Sequence, residues 1–231
     1  MEMMASRCEE GGEARDLDSR GSRPRRIAVL ITGFTAGGAQ RQCAYLLNAL
    51  ARTGRYEIFV LYYLDGPNRK LLAADIRAEQ LPASSLYSVD PVRQANVRFR
   101  AFQPDVLFTW LHAADVYGCI LKLLNPGWKW VMTERDSAYP REVRYLLRRA
   151  VGRFADLIVA NSEKGAQYWR TRFLQPPVVR AMNIVPEDGA APKGGGAIRT
   201  IAYIGRLEPQ KNVEVLCQAF IAVAKKNPEL A

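Results

Sequence analysis

The sequence predicts an α/β fold: a parallel sheet with helices on both faces, followed by the opening of a second α/β unit. Three observations predict it. From Arg26 onward, short apolar, β-branched or aromatic runs alternate with amphipathic stretches, the pattern of strands joined by crossover helices. A stretch dense in Pro and Gly, NIVPEDGAAPKGGGA at 183–197, then breaks the alternation as an interdomain linker would. After it, RTIAYIG at 199–205 reads as a new strand with one helix behind it.

The 231 residues are 48% hydrophobic and 24% charged, which is enough for one full core and part of another. Residues 1–25 are charged, glycine-rich and poor in apolar side chains, so they are expected to be a flexible extension. The first domain is expected over 26–182, the linker over 183–197 and the second domain over 198–231.

Within the first domain, strands are expected at 27–33, 56–64, 105–111, 128–134, 156–161 and 177–182, and helices near 39–52, 68–79, 91–102, 113–124, 140–153 and 163–173. In the first helix Ala39, Cys43, Leu46, Leu47 and Leu50 recur at helical spacing, and Gly54 follows as a stop. Asp90 with Pro91 reads as a cap and first position, and Ser162 with Glu163 starts another helix. The last helix is expected at about 212–226. One strand and one helix cannot bury a parallel sheet from both sides, so the sequence is expected to be a truncated form of something longer.

Composition excludes some classes. No stretch approaches the roughly 18 apolar residues of a membrane span, and the N-terminus lacks the order of a signal peptide, so a cytoplasmic protein is expected. The four cysteines are far apart, with no CxxC pair and a single histidine, which points to free thiols and no metal. Net charge is +10, and residues 1–26 hold six basic and six acidic side chains, so the excess lies in the folded part and favours anionic partners. Nucleic acid ranks last among these, because no recognition motif or basic-aromatic stripe accompanies the charge.

Ligands of open α/β sheets bind beyond the carboxyl ends of the strands, and four loops there carry candidates. In GFTAGGAQRQ (33–42), Gly37 and Gly38 with Arg41 in the first helical turn make either an anion site or simply a tight turn. This is not a dinucleotide fingerprint, because Gly33 and Gly37 are four apart and the nearest acidic residue after the second strand, Asp65, comes too late. His112 follows the strand DVLFTWL and either hydrogen-bonds a substrate or is structural, with Asp115 one turn on. Glu134, Arg135 and Asp136 either contact substrate or pair with one another. In GRLEPQKN (205–212), Gly205, Arg206 and Lys211 suit a diphosphate, with solvated surface charge as the alternative. Separately, REVRYLLRRAVGR (141–153) sets Arg141, Arg144, Arg148, Arg149 and Arg153 around an apolar stripe of Val143, Leu146, Leu147, Ala150 and Val151. It reads either as a surface for anionic lipid or as an ordinary solvated helix face.

Taken together, the Gly-Gly loop, His112, ANSEKGAQYW (160–169), NIVP (183–186) and above all YIGRLEPQKN (203–212) resemble glycosyltransferase family 4, over residues 26–231. The resemblance implies a GT-B fold, two Rossmann-like domains facing across a cleft, with acceptor on the first and nucleotide sugar on the second. It implies metal-independent transfer with retention of anomeric configuration and no cofactor. Gly37 and Gly38 would lie beside acceptor or donor phosphate, His112 would face the transferred sugar, and Arg206 and Lys211 would neutralise the leaving diphosphate, as departing charge requires. The family's second-domain motif with two glutamates is absent from this sequence, so the chain is expected to bind donor poorly and to be impaired. Asp16 and Asp18 form a DxD pattern belonging to another glycosyltransferase fold and carry little weight in the N-terminal extension. The resemblance implies a nucleotide-sugar donor and a glycan or lipid-linked acceptor in polysaccharide or cell-envelope biosynthesis, at the inner face of the membrane. The alternative is a non-catalytic, membrane-associated acceptor-binding module that partners another transferase.

Overall fold

In the computed structural model, the described residues are 23–82, 89–136, 139–170, 176–185, 203–205, 207 and 211–227. Seven parallel strands form one sheet in the order β3-β2-β1-β4-β5-β6-β7. They are β1 (Arg25–Gly33), β2 (Tyr56–Leu64), β3 (Arg77–Gln80), β4 (Val106–Trp110), β5 (Lys129–Glu134), β6 (Leu157–Ala160) and β7 (Val178–Arg180). The helices are α1 (Gly38–Arg52), α2 (Asp90–Phe102), α3 (His112–Leu124), α4 (Val143–Gly152), α5 (Glu163–Arg170) and α6 (Val213–Lys226). Contacts divide the chain at Val185 and Pro186, and α6 belongs to the second unit.

The sheet is buried on both faces. Along β1 and β2, Ala28, Leu30, Phe59 and Leu61 join one apolar cluster with Phe99 of α2 and Leu121 of α3, while Val29, Ile31, Val60 and Tyr62 join another with Cys43 and Leu47 of α1. Alternate side chains point to opposite faces, so an apolar residue at every position is what a doubly covered strand needs. The order of strands reverses between β1 and β4, and the loops leaving those two strands therefore part and open a crevice.

One expected element differs. In place of a helix over 68–79 there is a 3-10 turn at Pro67–Leu71 and then the edge strand β3, whose RAEQ pairs with 59–62 of β2. Pairing supplies the backbone hydrogen bonds there, and RAEQ, with Ala78 its one apolar residue, carries no run that announces a strand. Asp90 is also the first residue of α2 rather than a side-chain cap for it. Ser162 does cap α5, its Oγ accepting from the Gly165 N–H at 3.1 Å. Gly54, at φ 66°, ends α1 in the left-handed region that glycine tolerates. Of the strand expected at 199–205, residues 199–202 lie outside the described residues.

A glycine fixes the seat of α3. A Cβ at Gly118 would lie 2.5 Å from Thr109 Cγ2 and 2.8 Å from Trp130 Nε1, both buried. Gly118→Ala is expected to destabilise the first unit by roughly 1–3 kcal/mol, read as a lowered urea midpoint at unchanged slope.

Candidate active site

The crevice is built from the ends of β1, β4 and β5 and from α3 and α4. The loop after β1 leads into α1 through Gly37, whose extended backbone (φ −90°, ψ 152°) precedes the first helical turn without a side-chain cap. The first amides of that turn have no intrahelical partner and point at the crevice side of the sheet. A Cβ on Gly37 would run into the Gln40 side chain, whereas one on Gly38 would meet nothing within 4 Å. Arg41 is exposed on the same turn. The loop is held by Asn68, a buried residue of the 3-10 turn, whose Nδ2 donates to the Thr35 carbonyl at 2.5 Å and the Gly37 carbonyl at 2.9 Å. Sequence reasoning missed Asn68; Gly66-Pro67 ahead of it was the turn signal to follow.

His112 opens α3. Leu111, immediately before it, sits at φ 78° and ψ 159°, a conformation costing a non-glycine residue about 1–3 kcal/mol and concentrated at functional sites. His112 lines a cavity of about 720 Å³ together with Thr32, Leu111, Val116, Arg144 and Leu147. Its Nε2 lies 2.8 Å from Asp136 Oδ2, although the carboxylate falls outside hydrogen-bonding geometry for that nitrogen. The Tyr145 ring packs edge-on against the imidazole at 4.7 Å. Burial alone would raise the Asp136 carboxyl; His112 and the cations Arg148 and Arg144 outweigh it and hold the group below its ordinary range.

Beneath His112 is a buried ionic cluster centred on Arg148. Its Nε donates to Asp115 Oδ2 at 2.7 Å, Nη1 to Glu134 Oε2 at 2.7 Å, and Nη2 to the Thr133 carbonyl at 2.6 Å. Glu134 also accepts from Trp169 Nε1 and from the Asp136 backbone N–H, each at 2.7 Å. The other Asp115 oxygen accepts from Thr109 Oγ1 at 2.6 Å, and that hydroxyl accepts from Trp130 Nε1 at 3.0 Å. Burial disfavours the guanidinium charge, and Asp115 and Glu134 more than restore it, pushing the Arg148 pKa above its usual value.

These contacts correct two expectations. Arg148 is 3% exposed and is no part of a lipid-facing surface. Glu134 is fully buried with both oxygens engaged, so it braces the site rather than touching substrate. The helix is also turned the opposite way from a core-packed amphipathic helix. Arg148 and Gly152 face inward, the latter because a Cβ there would strike Trp169, while Val143, Leu146 and Leu147 are 79%, 52% and 47% exposed. Arg141 and Arg144 are exposed beside them, Arg144 pairing with Glu142 at 2.7 Å, and Arg149 is half-buried.

Arg135 lies over the Trp110 ring at 4.1 Å, and Trp110 Nε1 donates to the Ala39 carbonyl in the first turn of α1, so the ends of β5 and β4 and the Gly-Gly loop are packed together. Burial lowers the Arg135 pKa to about 10, against the opposing charge of Glu134. Its Nη1 donates to Asn183 Oδ1 at 3.0 Å, and Gln42 makes reciprocal amide bonds with Ile184 at 2.7 and 2.8 Å, which tie the segment before the domain boundary to the sheet. In the second unit, Gly205 forms a bend and Lys211 is exposed just before α6; Arg206 lies outside the described residues.

A family model described as Glycosyltransferase Family 4 matches residues 36–185, from the Gly-Gly loop to the last described residue of the first unit. The chain belongs to glycosyltransferase family 4. Among solved structures, this family 4 chain is similar to Anabaena HepE in complex with UDP, with a TM-score of 0.55 and 18% identity over 68% of this chain and 44% of that one. It is similar to MurG of Acinetobacter baumannii, with a TM-score of 0.52 and 14% identity over 71% and 47% of the two chains. A third likeness is to the lipopolysaccharide outer core galactosyltransferase WaaB, with a TM-score of 0.52 and 11% identity over 71% and 50%. The chain thus spans about half the length of these relatives. No curated protein matches the sequence. Among the described residues, no helix is long and apolar enough to cross a membrane.

Proposed function

We propose that this chain supplies the acceptor-binding half of a metal-independent, retaining glycosyltransferase that moves a sugar from a nucleotide-sugar donor to a glycan or lipid-linked acceptor. The observation that carries the reading is His112, which opens α3 beside the reversal of strand order and lines the 720 Å³ cavity in a family 4 chain. Cavities of this size at such a switch point are where α/β folds hold their ligands. HepE has been solved with UDP and with UDP-glucose, which supports a nucleotide-sugar donor.

In this reading His112 faces the transferred sugar, while the α1 amides behind Gly37 and Gly38, with Arg41, meet acceptor or donor phosphate. Arg206 and Lys211, with the turn freed by Gly205, receive the leaving diphosphate, where fixed cations and amides stabilise developing charge without a metal. The test is nucleoside diphosphate release by the full-length protein across a panel of nucleotide sugars, with and without glycan and lipid-linked acceptors. Acceptor-dependent release is expected; none across the panel in folded protein would overturn the reading.

The inverted face of α4 favours a peripheral membrane location, and with it the second reading of a membrane-associated acceptor-binding module. Exposed Val143, Leu146 and Leu147 beside Arg141 and Arg144, with Val143, Leu147 and Arg144 at the cavity wall, combine an apolar face with cations that attract anionic headgroups. The protein is expected to float with vesicles containing phosphatidylglycerol and not with neutral ones, and the double variant Val143→Ser, Leu147→Ser should lose most of that binding. Flotation indifferent to lipid charge and to the double substitution would remove the membrane role.

A further inference from the structure

Resting on the reading of His112 as a substrate-facing residue, we propose that Asp136, fixed in place by Arg148, is a positioning residue that decides which nitrogen of His112 carries the proton and which meets the ligand. The His112 side chain is 26% exposed, yet its Nε2 is shut off from solvent and is the atom that Asp136 Oδ2 approaches at 2.8 Å. The exposed part of the ring is therefore not Nε2, and a ligand in the cavity meets the imidazole at its other edge. The pair is not aligned as a hydrogen bond, but a carboxylate only accepts, and its charge at 2.8 Å favours the proton on the ring nitrogen beside it. In the neutral ring this leaves Nδ1 as an acceptor for a substrate hydroxyl, and in the imidazolium both nitrogens donate.

Two contacts restrain Asp136 beside the ring. Its backbone N–H is held by Glu134 Oε1, and Arg148 Nη1 stands 3.7 Å from its carboxylate while binding Glu134 on β5. Arg148 also binds Asp115, on the same helix as His112, so one guanidinium ties the carboxylate and the imidazole to a common frame. The charged and titratable groups around the ring are Asp136 from the end of β5, Asp115 from α3, and Arg144, Tyr145 and Arg148 from α4. Among these, only Asp136 touches the shielded nitrogen with an acceptor.

His112 is the single histidine of the sequence, so in untagged protein labelled with ¹⁵N-histidine one imidazole reports directly. Long-range ¹H–¹⁵N spectra, taken above histidine's ordinary titration range near pH 6.5, are expected to show a protonated Nε2 and an unprotonated Nδ1. Asp136→Asn should erase that bias or invert it, and Asp136→Glu should restore part of it. In full-length protein, transfer should fall at least about tenfold in Asp136→Asn, the scale on which a misplaced catalytic proton is felt. A wild-type ring protonated at Nδ1 would overturn the proposal without any variant, as would an unchanged spectrum in folded Asp136→Asn. The spectrum needs no turnover, so a protein that transfers no sugar but shows the Nε2 proton would fail the transferase reading alone.

Discussion

Arg148→Met is expected to cost about 3–5 kcal/mol, the largest stability loss of any single substitution considered, and to leave much of the first unit unfolded at 37 °C. The loss does not measure the worth of the ion pairs. Removing the cation strands Asp115 and Glu134, both fully buried, beside a neutral side chain, and an uncompensated buried charge is what makes the change severe. Arg148→Lys should recover little, because three separate guanidinium nitrogens serve Asp115, Glu134 and Thr133, and one ammonium cannot reach all of them. Urea unfolding followed by tryptophan fluorescence checks both, since Trp169 and Trp130 belong to the same hydrogen-bonded network. A loss below about 1 kcal/mol for Arg148→Met would mean that the cluster is hydrated rather than buried.

His112→Ala is the counterpart at the surface of the site. It should lower sugar transfer by the full-length protein by about 10²-fold or more, within the range expected for a positioned acid-base or hydrogen-bonding group, while stability changes little. The imidazole is partly exposed and its shielded nitrogen has no aligned hydrogen bond to lose. Measured kcat and unfolding midpoint together separate the two roles that the sequence left open. A fall in both would make His112 structural.

The sheet and its helices were legible in the sequence because burial on both faces leaves long apolar runs that are hard to mistake, as in β1 and β2. The edge strand β3 was not, since RAEQ is held by backbone pairing with β2 and carries no apolar run. The site was legible in part. The positions of Gly37, Gly38 and His112 at strand ends follow from chain order alone, and the structure brings His112 and Asp136 together. Helical periodicity set arginines around an apolar stripe in α4 but could not show that Arg148 alone among them is buried while Val143, Leu146 and Leu147 stay exposed. What decides the rotation is a complementary pair of carboxylates from α3 and β5 and a clearance for Trp169 at Gly152, and neither is local to the helix. Asn68 was missed for the same reason, because its partners, the Thr35 and Gly37 carbonyls, lie more than thirty residues away.

The most direct test of the account is transfer of a radiolabelled sugar from nucleotide sugars by the full-length protein and its His112→Ala variant. The account predicts label in a glycan or lipid-linked acceptor, one nucleoside diphosphate released per sugar transferred, the anomeric configuration of the donor preserved in the product, and loss of both signals in the variant. Label that never reaches an acceptor, or a product of inverted configuration, would contradict it.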